Sequence, residues 1–157
     1  MVVSMRIKSE TNGLKNKISL GLILTKKQLT SSIFPAEVIA EISETPFYLL
    51  IFISREDVVK ISCFPTKTKE MKKILIKLTE FSPDLVKGIS GVLRELNLSK
   101  DILHTTGLCY EMEKCFYETY IIGENLDSDK IKTIEQKFLN ISKVIDVTIE
   151  DIQLYTK

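Results

Sequence analysis

The sequence carries almost no net charge: 22 lysines and arginines stand against 21 acidic residues, a formal +1 at pH 7. A chain so balanced has no overall field to draw in phosphate backbones or anionic lipid. Long apolar runs are missing too. The longest wholly apolar stretch is residues 47–53, well short of the ~20 residues of a bilayer-spanning helix, so no membrane partner is expected. Met1, Val2, Val3, Ser4 and Met5 run at once into Arg6, Lys8 and Glu10, without the apolar core segment or cleavage site of a signal peptide. The expected location is cytoplasmic. Tryptophan is absent, the basic residues are mostly lysine and isoleucine is abundant, a bias compatible with a thermophile or an AT-rich genome.

Catalytic patterns are missing as well. There is no Ser-His-Asp or Cys-His arrangement, no Gly-rich phosphate loop and no close carboxylate pair beside a plausible pocket, so neither an enzyme nor a cofactor is expected. The one histidine, His104, differs from Cys109 by an odd number of positions, which sends the two side chains to opposite faces of a regular strand. No metal site is expected. The three cysteines, Cys63, Cys109 and Cys115, are an odd number without CxxC spacing and read as reduced thiols of an intracellular protein. A hairpin centred near Met112 would bring Cys109 and Cys115 close, with two unconnected thiols the expectation for a cytosolic chain.

What is present falls into two parts. Residues 1–66 read as a small, mostly β unit. A short strand at 6–11 enters an Asn12-Gly13 turn, and residues 18–25 alternate Ile18, Leu20, Leu22 and Leu24 against Ser19, Gly21 and Thr25 as a half-buried strand. Residues 26–32 are polar and read as a loop. Residues 35–43 fit a strand by alternation or a helix by composition, and the strand is the preferred reading. Residues 47–54, apolar on both sides, suit a central strand, and 58–64 its neighbour. A polar linker at 67–70 follows Pro65 and Thr66, and the lysines between Lys67 and Lys77 read as a solvated linker and strand edge.

From residue 71 to 157 the pattern is regular. A strand at 72–79 alternates Ile74, Ile76 and Leu78 with Lys73, Lys77 and Thr79. Ser82 as N-cap and Pro83 at the first helical position start a helix whose stripe is Leu85, Val86, Ile89, Val92, Leu93 and Leu96. Gly88 and Gly91 within it suggest close approach of the helix to a sheet. Strands at 101–113 and 115–123 follow, then a helix capped at Asp127 or Ser128 with Ile131, Ile134, Phe138 and Ile141 on one face, and a strand at 144–152. Strand, helix, strand, strand, helix, strand makes a ferredoxin-like split βαβ unit with both helices on one face of a four-stranded sheet. Its other face is expected to be solvated or covered by a partner. The expected class is therefore α+β, a ferredoxin-like βαββαβ domain preceded by the small β unit.

The segment from Leu78 through Phe81-Ser82-Pro83-Asp84-Leu85 to Asn97, with the strand at Ile102, resembles the ACT domain, a small regulatory module attached to many amino-acid-metabolism enzymes. The resemblance covers about residues 71–155. It implies a homodimer formed side by side through the first helix and second strand, with an amino acid or related metabolite between the first strand–helix turn and the neighbour's second strand. Carried over by position, the ligand-binding residues are Phe81, Ser82, Pro83, Asp84 and Leu85 with Ile102, Leu103, His104 and Thr105. Ligand-binding members of the family usually place Gly after the Pro. Asp84 stands there, and its carboxylate complements the helix dipole and repels a second one. The implied role is non-catalytic regulation, by sensing a small molecule or by acting on a partner enzyme. The alternatives are a ligand-free oligomerisation or interaction module and the effector domain of a transcriptional regulator. No helix-turn-helix is seen in 1–66. The aromatics Tyr110, Phe116, Tyr117 and Tyr120 alternate with Glu111, Glu113 and Glu118 rather than with basic residues; they read as packing residues, and no nucleic acid is expected.

Overall fold

A computed structural model describes residues 18–55, 57–110 and 114–156. The strand and turn expected at 6–13 lie outside them. In chain order the elements are β1 (Leu20–Thr25), α1 (Lys26–Thr30), α2 (Ala36–Ala40), β2 (Phe47–Arg55), β3 (Val58–Thr66), β4 (Met71–Leu78), α3 (Pro83–Glu95), β5 (Ile102–Tyr110), β6 (Lys114–Ile122), α4 (Ser128–Leu139) and β7 (Val144–Asp151). The fold is α+β. Its two antiparallel sheets have the orders β1-β2-β3 and β5-β6-β4-β7.

Two local expectations in the first half are corrected. The polar residues 26–32 do not form a loop but begin with α1, because Thr25 and Gln28 make a capping box: the Gln28 amide donates to Thr25 Oγ1 at 3.3 Å and the Thr25 amide to Gln28 Oε1 at 2.9 Å. Two orphan donors are satisfied reciprocally, which starts a helix without any apolar stripe. Residues 35–43 hold the short helix α2, Ala36–Ala40, and not a strand. Pro35 is the N-cap of α2, and the Val38 and Ile39 amides both donate to its carbonyl. Here the helix preference of Ala36, Glu37 and Ala40 outweighs a short alternation that finds no neighbouring strand.

In the second half, Ser82 Oγ accepts from the Leu85 amide at 3.2 Å and Asp127 Oδ1 from the Lys130 amide at 2.8 Å, each capping its helix. The apolar stripes of α3 and α4 meet one face of the second sheet. Leu85, Ile89 and Leu93 pack with Ile134 and Phe138 over Ile74, Ile76 and Leu78 of β4, all nearly inaccessible to solvent. The helix glycines do not face the sheet, contrary to expectation. Gly88 looks toward Ile141 and Gly91 into open space, so Gly91 brings no packing benefit against its helix cost.

The opposite face of this sheet is covered by the chain's own first sheet, not by a partner. Ile23, Leu49 and Ile51 pack against Met71, Tyr120 and Ile152. The approach at β1 is close enough that a Cβ on Gly21 would overlap the Tyr120 ring. Residues after β7 complete the join. Leu154 pairs in parallel with Ile23, the Ile23 amide donates to the Gln153 carbonyl at 3.1 Å, and the Tyr155 amide donates to the Ile23 carbonyl at 2.7 Å. No described helix is long and apolar enough to cross a membrane.

Candidate functional site

The turn between β4 and α3 is already occupied by its own groups. Ser82 and Pro83 start the helix as expected, and that use takes up most of the donors an anion would need. Pro83 has no N–H, the Leu85 amide is taken by Ser82 Oγ and the Val86 amide by the Ser82 carbonyl. Asp84 is exposed in the first turn, where its charge complements the helix dipole. Leu85 is 3% exposed and belongs to the core. The Phe81 ring lies over Gly107 of β5, so close that a Cβ there would sit 2.5 Å from the ring.

The second predicted segment lies elsewhere in the same chain. Through the register Ile102↔Ile121↔Lys72 and Thr105↔Thr119↔Ile74, these residues stand level with the start and middle of β4. The turn follows Leu78, at least four residues further along, or roughly 13 Å of strand rise. One chain does not bring the two segments together. Ile102 packs on the helix side and Leu103 on the side of the first sheet, across an irregularity in the ladder between Ile102 and His104. His104 shares a 2.8 Å hydrogen bond between Nε2 and Thr106 Oγ1, with its ring centroid 5.5 Å from that of Phe64. Burial lowers its pKa from the ordinary value, against an opposing pull from the Glu118 charge. Thr105 hydrogen-bonds Tyr117, whose phenol burial pushes up.

Cys109 and Cys115 are joined by a disulfide, contrary to the expectation of separate thiols. They are direct partners in the β5–β6 ladder, with Cα atoms 3.9 Å apart, and antiparallel register alone places both sulfurs on one face. Among the described residues no group of three or more His, Cys, Asp or Glu side chains is placed to hold a metal.

The densest polar constellation was not legible as such. Lys73, 1% exposed, is not solvated as expected. It points from β4 into the seam between the sheets, where Nζ lies 3.1 Å from Glu118 Oε1, donates to the Ser19 carbonyl at 2.7 Å, and sits 3.6 Å from Glu150 Oε1. The Tyr120 ring centroid is 5.5 Å away. Glu118, fully buried, accepts from the Ile18 and Ser19 amides at 3.0 and 3.2 Å and from Ser19 Oγ at 2.5 Å, and Ser19 Oγ is 2.7 Å from the Tyr120 hydroxyl. Burial and the charges of Glu118 and Glu150 push the Tyr120 phenol up, against the pull of its Ser19 hydrogen bond. Every partner is satisfied inside the chain, so the cluster binds the entry to β1 onto the second sheet rather than offering a reactive group. A usable sequence signal was the β6 face Phe116, Glu118, Tyr120: two large aromatics on the face away from the helices imply a cover.

A half-open recess of about 370 Å³ lies at the other end of the helix layer, between the loop after α3, the end of β6 and the first half of α4. Its wall begins where α3 ends. Asn97 takes φ 56°, its amide donates to the Arg94 carbonyl and the Leu98 amide to the Leu93 carbonyl at 2.8 Å. This is a Schellman closure, and it drives Leu98 into the core. A short 3-10 turn, Ser99–Asp101, carries Lys100 and Asp101 around the rim. Lys130 of α4 also lines the recess, its Nζ donating to the Asn125 carbonyl at 2.9 Å. None of the residues predicted from sequence lines this recess.

No model of a known protein family matches the chain, and no curated protein sequence does.

Proposed function

We propose that residues 71–155 are a ferredoxin-like domain of the ACT type, and that the protein is a non-catalytic regulator that dimerises through this domain and senses an amino acid or related metabolite or acts on a partner enzyme. The observation that carries this reading is the strand order β5-β6-β4-β7 with α3 and α4 sharing one core cluster on one face. It leaves β5, nine residues long, at a sheet edge, where a second copy can add its own strand. Ligand control would act by population shift: a molecule held across two subunits favours the dimer arrangement that binds it more tightly. A ligand-free oligomerisation module is the second reading, and a specific observation favours it. Phe81, Ser82 and Asp84 fill and cap the turn that a ligand would otherwise occupy.

Solution mass tests both readings, since each needs an oligomer; a strictly monomeric chain would count against them. A thermal-shift panel of amino acids separates the two. A specific ligand at a hundred times its dissociation constant raises stability by about 2.7 kcal/mol. A dimer that no amino acid stabilises at millimolar concentration is the outcome expected of the ligand-free module.

A further inference from the structure

We infer that the recess between the loop after α3 and α4 is a binding site for a small carboxylate with an apolar body. Its floor is hydrophobic: Leu98 and Ile134 are 5% and 2% exposed, with Ile122 and Leu126 beside them. Its rim is cationic. Lys100 and Lys130 are both exposed and flank the opening, against the single carboxylate of Asp101. Lys130 is held in place by the Asn125 carbonyl and retains two further N–H donors. At about 370 Å³ the recess falls in the lower part of the roughly 300–1,000 Å³ range of small-molecule sites. Its apolar floor favours a ligand with an apolar body over a small inorganic anion. A carboxylate on the lysines with a branched or aromatic body over Leu98 and Ile134 satisfies both halves of the surface. A free amino acid and a plain carboxylic acid share this chemistry. The difference between them is the ammonium group, for which Asp101 is the acceptor at the rim.

This site differs from the turn and strand of the regulatory reading and does not depend on dimerisation. The experiment is titration of the full chain with leucine and, separately, 4-methylpentanoate, by calorimetry and by amide NMR shifts. Expected is saturable binding of at least one probe, with shifts concentrated at residues 97–101 and 125–134. The charge-reversed pair Lys100→Glu/Lys130→Glu, on exposed side chains that leave the fold intact, should weaken binding by roughly tenfold or more. Lys87→Glu, remote on α3, should not. Tighter binding of leucine assigns Asp101 to the ammonium, and equal affinities assign the site to plain acids. Saturable binding by neither probe overturns the inference, as does binding unaffected by the double variant or shifts confined to residues 81–85 and 102–105. The last outcome leaves the regulatory reading standing. A monomer that binds leucine at the recess does the reverse.

Discussion

Replacing Lys73 by Met keeps the length and apolar stem of the side chain and removes its charge. In the parent, Lys73 neutralises a carboxylate with no solvent access and supplies the donor to the Ser19 carbonyl. Breaking a buried pair by deleting one partner costs about 3–5 kcal/mol, because the other charge stays buried without compensation. Glu118 would still accept from two amides and the Ser19 hydroxyl, which moves the expected loss to the lower end, about 3 kcal/mol. Domains have about 5–15 kcal/mol in total, so the variant should remain folded at room temperature but melt roughly ten degrees lower. The assay is urea unfolding followed by far-ultraviolet circular dichroism, since the chain has no tryptophan. Glu118→Gln completes a cycle. Removing both charges should cost less than the sum of the single losses, by about 1 kcal/mol or more. A Lys73→Met loss below about 1 kcal/mol, or strict additivity, would refute the claim that the pair is buried and coupled.

Gly91→Ala should stabilise the protein by about 0.5–1 kcal/mol, because α3 has open space where the methyl group would go and alanine lowers the entropy of the unfolded chain. A lower urea midpoint would mean that something packs against that surface. Tyr120 governs the alkaline limb. Its phenol is held above the ordinary value, so the unfolded chain gives up the proton first. The stability Tyr120 contributes is intact below pH ~10 and is lost above it, at up to about 1.4 kcal/mol per pH unit. The stability gap between the parent and Tyr120→Phe should therefore narrow from about pH 9 to about pH 11; a constant gap would show that the phenol titrates normally.

The second half of the chain was legible because its elements are long, strongly periodic and capped by side chains adjacent in sequence. Ser82, Pro83 and Asp127 mark helix starts that need no tertiary information. The first half was less so. α1 and α2 are five residues each, too short for a stripe to show, and α1 is announced only by the Thr25–Gln28 box. The Lys73–Glu118 pair was hidden for another reason. A lysine alternating with isoleucines reads as the wet face of a strand unless something covers that face, and the cover comes from residues 54 positions away at Ser19. The disulfide needed only the hairpin register. A prior about cellular compartment outweighed a local geometry in which Cys109 and Cys115 are equidistant from Met112. The candidate site was legible only as a set of residues: Phe81 to Leu85 form the turn into α3 and Ile102 to Thr105 the start of β5, where the pattern put them, while the recess between the helices arises from two loops that no periodicity marks.

The pairing of Leu154 with β1 imposes an order of events on the polypeptide. The hydrogen bond from Gln28 Nε2 to the Tyr155 carbonyl spans 127 residues, so the earliest described strand cannot complete its outer edge until Tyr155 has been synthesised. At about 5–20 residues per second, that edge stays open for roughly 6–25 seconds on the ribosome. During that interval Ile23 offers its unpaired backbone to any extended segment that passes. The segment around Leu154 thus acts as a late seal, and a chain truncated before it would leave that edge of β1 exposed.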